Sequence, residues 1–241
     1  MLLNKKNILI TGASHGIGYV SVKKCLMEGA NVILNYHKDF VNNYLLSFSE
    51  ENRLHFVKAD VSIPGDVQKM MIEIKKKYGY LDGIVNNAGI MSRTPNWKEI
   101  PSEDWERIIN TNLKGVWNVV RYGENLMING GSIVNISSIF GLFPETNELT
   151  YSISKAGVNA MTLALAKKLA PEIRVNAIAP GNTLTSMIPD SKKLQNIEGK
   201  TLLKRSAQPE EIANSIIYLL SDNSSYITGN IITVDGGYHV I

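Results

Sequence analysis

The sequence predicts an α/β protein: a single doubly wound Rossmann-type domain, with a parallel seven-stranded sheet carrying helices on both faces. Three observations predict it. Short β-branched runs alternate with longer amphipathic ones along all 241 residues, the pattern of strand–helix–strand units. The runs Ile8-Leu9-Ile10 and Val32-Ile33-Leu34 are apolar throughout, as strands covered on both faces must be. A glycine-rich turn follows the first run and opens an amphipathic stretch.

Taken in order, strands are expected at Asn7–Thr11, Asn31–Asn35, Leu54–Lys58, Gly83–Asn86, Ser132–Ser137, Arg174–Ala179 and Ile231–Val234. Helices are expected at Ile17–Glu28, Gly65–Tyr78, Ser102–Met127, Tyr151–Ala170 and Pro209–Ser221. Right-handed crossovers between parallel strands then leave the doubly wound sheet as the economical topology. No repeat, low-complexity tract or linker divides the chain, so residues 1–241 read as one unit. The least regular piece is Asn182–Arg205, which mixes Pro189, Gly199 and several lysines after a strand end. Long segments of that kind are usually functional, and this one is expected to be a substrate lid.

Composition narrows the partners. Apolar residues make up 44% and charged residues 20% of the chain, ordinary for a soluble globular protein. Net charge is +3, and the densest basic run is Lys75-Lys76-Lys77. Those lysines close a predicted helix, where cations complement the dipole, so no nucleic-acid partner is expected. No apolar run approaches the ~18 residues of a membrane span. The first ten residues pass directly into a strand and show no secretory cleavage pattern. The single cysteine, Cys25, falls in an amphipathic stretch with Val22, Leu26 and Ala30. It reads as a small core residue of a cytoplasmic protein. His15, His37, His55 and His239 are dispersed and show no metal-ligand spacing.

The turn Thr11-Gly12-Ala13-Ser14-His15-Gly16-Ile17-Gly18 has the spacing Gly-x-x-x-Gly-x-Gly. Glycines permit a tight turn and let the backbone approach a pyrophosphate, and the helix N-terminus adds free amides and positive dipole. Asp60-Val61 and Asn86-Asn87-Ala88-Gly89 close the third and fourth strands, at the edge where ligands of open parallel sheets bind. Asp60 as a helix cap and Asn86 as a turn residue are equally open readings.

Tyr151 and Lys155 are four apart on one helical face. A phenol with an unperturbed pKa of ~10 is a poor base at neutral pH, and a nearby ammonium would stabilise its phenolate. Ser138 closes the fifth strand and can hydrogen-bond the same substrate oxygen.

These motifs resemble the short-chain dehydrogenase/reductase family over essentially the whole chain. The resemblance rests on Thr11-Gly12-x-x-x-Gly16-x-Gly18, Asn86-Asn87-Ala88-Gly89, and Asn112 within Asn110-Thr111-Asn112-Leu113. It continues with Ser138, twelve intervening residues, Tyr151-x-x-x-Lys155, Pro180-Gly181, Thr228-Gly229 and Val234-Asp235-Gly236-Gly237. It implies hydride transfer between a nicotinamide cofactor and a carbonyl or alcohol carbon of a small-molecule substrate. Tyr151 would be the general acid/base, Lys155 would lower its pKa and bind the nicotinamide ribose, and Ser138 would polarise the carbonyl. Asn112 would hold a water linking Lys155 to solvent. The cofactor would lie on Gly12, Ser14, His15, Gly16, Ile17, Gly18, Val61, Asn87, Ala88 and Gly89. Pro180, Gly181 and Thr183 would line the nicotinamide, with Thr185 near its carboxamide or capping the next helix. A homotetramer is implied too, with the helices at 102–127 and 151–170 and the apolar Ile231–Ile241 segment as contact elements. A non-catalytic dinucleotide-binding regulator is the alternative, although such a chain would typically lack the tyrosine or the lysine.

Cofactor choice turns on the end of the second strand, Leu34-Asn35-Tyr36-His37-Lys38. NAD-binding relatives carry an acidic residue there; this chain has Tyr36, with Lys38 placed to meet a 2′-phosphate. NADP(H) is therefore expected, with NAD(H) as the alternative. For the substrate, 3-oxoacyl thioesters, sugars or polyols, and other ketones all stand open. Acyl-carrier reductases of the family often have glutamine where this chain has Glu148, and no arginine lies between Tyr122 and Gly130 to attract an acidic carrier. Glu145 and Glu148 fit sugar hydroxyls or an ordinary solvated surface equally well.

Overall fold

The computed structural model of the chain describes residues 1–38, 52–91, 94, 96–185, 187 and 201–240. Seven strands form one sheet: β1 (Asn7–Ile10), β2 (Asn31–Tyr36), β3 (Leu54–Lys58), β4 (Gly83–Asn86), β5 (Gly131–Ile136), β6 (Ile173–Pro180) and β7 (Ile231–Val234). Their order is β3-β2-β1-β4-β5-β6-β7, and every pairing is parallel. After β3 the chain returns to the other side of β1. The crevice at the carboxyl ends of β1 and β4 is therefore the switch point where such sheets bind ligands.

Strand alternation sorts the apolar side chains into two layers. Leu9, Ile33, Ile84, Ile133 and Val175 face one side, against α2 (Pro64–Tyr78), α4 (Gly115–Gly123) and α5 (Leu149–Leu169). Ile8, Ile10, Val32, Leu34, Val85, Val134 and Ile178 face the other, against α1 (Gly16–Met27) and α6 (Pro209–Leu220). Each fully buried Leu or Ile stabilises the fold by about 2 kcal/mol. Cys25 is buried in the second layer, and burial pushes its thiol well above the usual range.

The stretch expected as one helix over 102–127 is divided. α3 (Ser102–Ile109) runs into a π turn at Asn110–Lys114, then α4, then a 3₁₀ turn at Glu124–Leu126. The side chain of Asn112, fully buried in the π turn, explains the break. It donates to the carbonyl of Ile90 at 2.8 Å and accepts from the amide of Ile90 at 2.8 Å. Those bonds hold it inward, and a widened turn accommodates them, as is common beside functional sites.

Of the segment expected to be a lid, residues 186 and 188–200 lie outside the described residues. Its two ends meet: Leu184 N donates to Ala207 O at 2.9 Å, and Ala207 N donates to Asn182 O at 2.8 Å. No helix among the described residues is long and apolar enough to cross a membrane.

Candidate active site

The end of β1 is fastened to the end of β4. The Thr11 hydroxyl accepts from the amides of Asn87 and Ala88 at 3.0 and 3.1 Å, and Asn87 Nδ2 donates to the carbonyls of Thr11 and Gly12. This closeness requires glycine. Gly12 has φ +59°, and a Cβ there would stand 2.6 Å from Ala88 Cα. Gly18 does not line the cleft; a Cβ on it would collide with Asn87 Nδ2, so its role is to let α1 lie against the turn.

His15 is the N-cap residue of α1 and makes no side-chain capping bond, so the first-turn amides of this twelve-residue helix keep donor capacity toward the turn. A cleft of about 880 Å³ opens above it. Gly12, Ser14, His15, Gly16, Ile17, Asp60, Val61, Asn87, Ala88, Gly89, Pro180, Gly181, Thr183 and Thr185 all line this cleft, together with Ser138, Tyr151 and Lys155. A glycine-rich turn, a helix N-terminus and a cleft of this size fit a dinucleotide. Asp60 also organises the turn before α2, its Oδ1 accepting from the amide and hydroxyl of Ser62 at 2.9 and 2.7 Å. Asn86 lies below the site, donating to Asn135 Oδ1 at 2.8 Å.

At the other end of the cleft, Ser138 and Tyr151 both line it, and Ser137 turns away to donate to the Lys155 carbonyl at 3.2 Å. The two serines point apart, as successive residues past a strand end do. Lys155 is buried, and its Nζ donates to the Ile136 carbonyl at 2.7 Å. Burial pulls this ammonium down to about 8. Burial pushes the Tyr151 phenol up to about 12, opposed by the Ser138 hydrogen bond and reinforced by the charge of Glu148. The expectation that Lys155 draws the phenol downward is therefore corrected. Desolvation of a buried phenolate outweighs an ammonium whose hydrogen bond goes to Ile136.

Two other expectations shift. Asn112 does not line the cleft; besides holding Ile90 it donates to Ser154 Oγ at 3.0 Å, and Ser154 donates to the Tyr151 carbonyl at 2.7 Å. Tyr36 does not line the cleft either. Its ring packs on the second core layer, and the residues on either side, Asn35 and His37, line the cleft instead. The period of two along β2 carried that signal. Arg107, paired with Asp104 at 2.9 Å, and Phe140 also line the cleft. No local motif marked them, because their placement depends on how α3 and the β5–α5 connection cross the sheet. Glu148 is buried and Glu145 half-buried, and neither is among the lining residues.

Comparison with known proteins agrees with this geometry. The family model described as Enoyl-(Acyl carrier protein) reductase matches residues 12–239. A 3-oxoacyl-acyl-carrier-protein reductase of Thermotoga maritima is 39% identical, over 98% of this chain and 99% of the relative. Glucose 1-dehydrogenase 2 of Bacillus subtilis is 35% identical, over 98% of this chain and 95% of the relative. Among solved structures, the ligand-free aldohexose dehydrogenase of Thermoplasma acidophilum matches with TM-score 0.91 and 30% identity, covering 99% of this chain and 96% of the other. A short-chain glucose/ribitol dehydrogenase from Brucella melitensis matches with TM-score 0.92 and 30% identity, covering 98% of both chains. Fold, switch-point cleft and sequence likeness agree: the chain belongs to the short-chain dehydrogenase/reductase family of oxidoreductases, which act on carbonyl and CH–OH groups.

Proposed function

We propose that this protein transfers a hydride between NADP(H) and a carbonyl or alcohol carbon of a small substrate, with Tyr151 as general acid and base. The substrate class is a 3-oxoacyl thioester, a sugar or polyol, or another ketone. One observation carries the reading: Ser138, the Tyr151 phenol and Lys155 one turn on all face the cleft that the glycine turn opens. The bound nicotinamide would supply the hydride. The chain's residues supply the rest. A phenol at about 12 is protonated at neutral pH, the state that donates in reduction. Ser138 would bond the same substrate oxygen and hold it against that proton. The turn Gly12–Gly18 and the α1 amides would hold the pyrophosphate, and Lys155 the ribose. Pro180, Gly181, Thr183 and Thr185 would line the nicotinamide. The working form would be a cytoplasmic homotetramer, with 182–205 as a lid over the substrate.

The test is a panel: 3-oxoacyl thioesters and ketones with NADPH, sugars and polyols with NADP⁺, each run with wild type and Tyr151→Phe. At least one substrate should turn over, and the variant should lose ~10²–10⁴-fold, the worth of general acid catalysis, with cofactor affinity nearly unchanged. A variant keeping more than about a tenth of the activity would remove Tyr151 from this role.

A further inference from the structure

The connection from β5 to α5 carries Ser138 and Phe140 over the cleft, and it is held at two ends. On the α5 side it is pressed onto the helix. Gly141 has no room for a Cβ, which would stand 2.7 and 2.8 Å from the Lys155 carbonyl carbon and oxygen. Asn159 Nδ2 donates to the Gly141 carbonyl at 3.0 Å, and the Glu145 amide donates to Ser152 Oγ at 3.2 Å. At its outer end the connection projects Phe143, and the Phe143 ring stacks on His239, with centroids 5.7 Å apart and planes 22° apart.

His239 is itself aimed. Its Nδ1 lies 2.7 Å from Asp235 Oδ2, and its backbone amide donates to the same oxygen at 3.0 Å. The other carboxylate oxygen accepts from the Gly237 amide at 3.0 Å. Asp235 in turn backs the neighbouring wall of the cleft, at Pro180-Gly181. A Cβ on Gly181 would stand 2.7 Å from Asp235 Cα, and Gly181 N donates to Val234 O at 3.0 Å. The turn after β7 thus joins two walls: the one at Pro180-Gly181 and the one at Ser138–Phe143.

We propose that His239 is a positioning residue for the substrate, bracing the Ser138–Phe143 connection against the end of β7 and so fixing the width of the substrate end of the cleft. The proposal rests on the reading that substrate is held between Ser138 and Tyr151. His239 and Phe143 touch no reacting atom. Their loss therefore costs placement of the wall and leaves proton transfer at Tyr151 intact. The cofactor turn at Gly12–Gly18 lies at the other end of the cleft and is unaffected.

The experiment compares His239→Ala, Phe143→Ala, the double variant and Phe143→Tyr, using the best substrate of the panel. Each alanine variant should raise substrate KM about three- to tenfold, the range an aromatic pair's contribution spans, with cofactor KM within about twofold. The double variant should be no worse than either single one, because one contact is lost in all three. Phe143→Tyr keeps the stack and should keep the wild-type KM. Hydrogen exchange gives a readout independent of turnover. The Phe143 amide, bonded to the Ile139 carbonyl at 2.7 Å, should exchange faster in His239→Ala. An unchanged substrate KM in His239→Ala, an equal rise in cofactor KM, or losses that multiply in the double variant would overturn the brace. If wild type turns over no carbonyl compound at all, the proposed function fails instead, and exchange at Phe143 alone decides: unchanged exchange overturns the brace, and faster exchange supports it.

Discussion

Lys155 stands one helical turn from Tyr151, its Nζ 5.6 Å from the centre of the phenol ring, and spends its hydrogen bond on the Ile136 carbonyl 2.7 Å away. The pair is thus a buried ammonium behind a buried, protonated phenol. Burial acts on the two groups in opposite directions. It lowers the lysine from 10.5 to about 8 and raises the tyrosine from 10.0 to about 12. Both shifts favour the neutral forms, so the charged lysine at neutral pH is held at a cost to folding.

That cost gives a stability prediction. Between about 8 and 10.5 the unfolded chain holds more protons on Lys155 than the folded one, so stability should rise with pH across that window. At ~1.4 kcal/mol per tenfold, the charge costs about 3 kcal/mol at neutral pH, against about 1 kcal/mol gained from the bond to Ile136. Lys155→Met should therefore be more stable than wild type near pH 7 by roughly 1–2 kcal/mol, while losing activity. It should also lack the gain above about pH 8. Urea midpoints at about pH 7 and about pH 10 check this. A variant less stable at neutral pH with an unaltered pH response would contradict the account.

Glu148 sets a second, smaller dependence. Its charge adds to burial in raising the Tyr151 phenol, so Glu148→Gln should ease formation of the phenolate. The alkaline rise of kcat/KM for alcohol oxidation should then move to lower pH, by less than about one pH unit, since burial is the larger cause. Glu148→Asp keeps the charge and should keep the wild-type profile. A Gln profile that stays in place or moves upward would show that the charge does not reach the phenol.

The proposed tetramer has candidate contact residues. Trp105 on α3, Trp117 on α4, and Ile153 and Leu163 on α5 are each 39–45% exposed, large apolar side chains of the kind that subunit interfaces cover. Light scattering at micromolar concentration should give four times the chain mass of 26.7 kDa. Trp117→Glu with Leu163→Glu should reduce that mass by placing charges in a desolvated contact. A wild-type mass of one chain would dispose of the assembly.

What the sequence made legible follows from what each signal depends on. The strands carried it best, because Ile8-Leu9-Ile10 and Val32-Ile33-Leu34 must be apolar wherever helices cover both faces; every strand expected from sequence appears within two residues of its bounds. The glycine turn and the Tyr151–Lys155 spacing were equally legible, each being a local requirement of backbone or helix geometry. The π turn was not, because it follows from a contact between Asn112 and Ile90, which lie 22 residues apart. The same holds for Tyr36. Alignment by position gave it a place in the cleft, while the pleat of β2 turned Asn35 and His37 there. The sign of the Tyr151 shift was also hidden, since burial of a phenol is a property of the assembled cleft.

That end of the cleft bears on cofactor choice, and the last prediction concerns Lys38. His37 and Lys38 line the main cleft and also a second recess of about 660 Å³, shared with Lys58, Asp60, Asp66 and Lys69. Among the described residues, three lysines thus surround it, against two carboxylates. Asp60 is already engaged, one oxygen with Ser62 and the other 3.5 Å from His37 Nε2, and Asp66 Oδ2 stands 3.5 Å from the Asp60 amide. The balance of charge favours an anion beside the end of β2, as a 2′-phosphate would supply. Wild type should prefer NADP(H), and Lys38→Ala should lose roughly tenfold to a hundredfold in kcat/KM with NADP(H), the worth of one charge-assisted hydrogen bond. Its kcat/KM with NAD(H) should stay near wild type, since no contact to an unphosphorylated ribose is removed. Lysine is a point charge without arginine's fork, so Lys38→Arg should hold or raise the preference. The removed charge would also make NADP(H) binding less salt-dependent. Equal or better use of NAD(H) by wild type would overturn the cofactor assignment. A Lys38→Ala variant that kept the full preference would move the role to Lys58 or Lys69, to be tested by the same substitution at each.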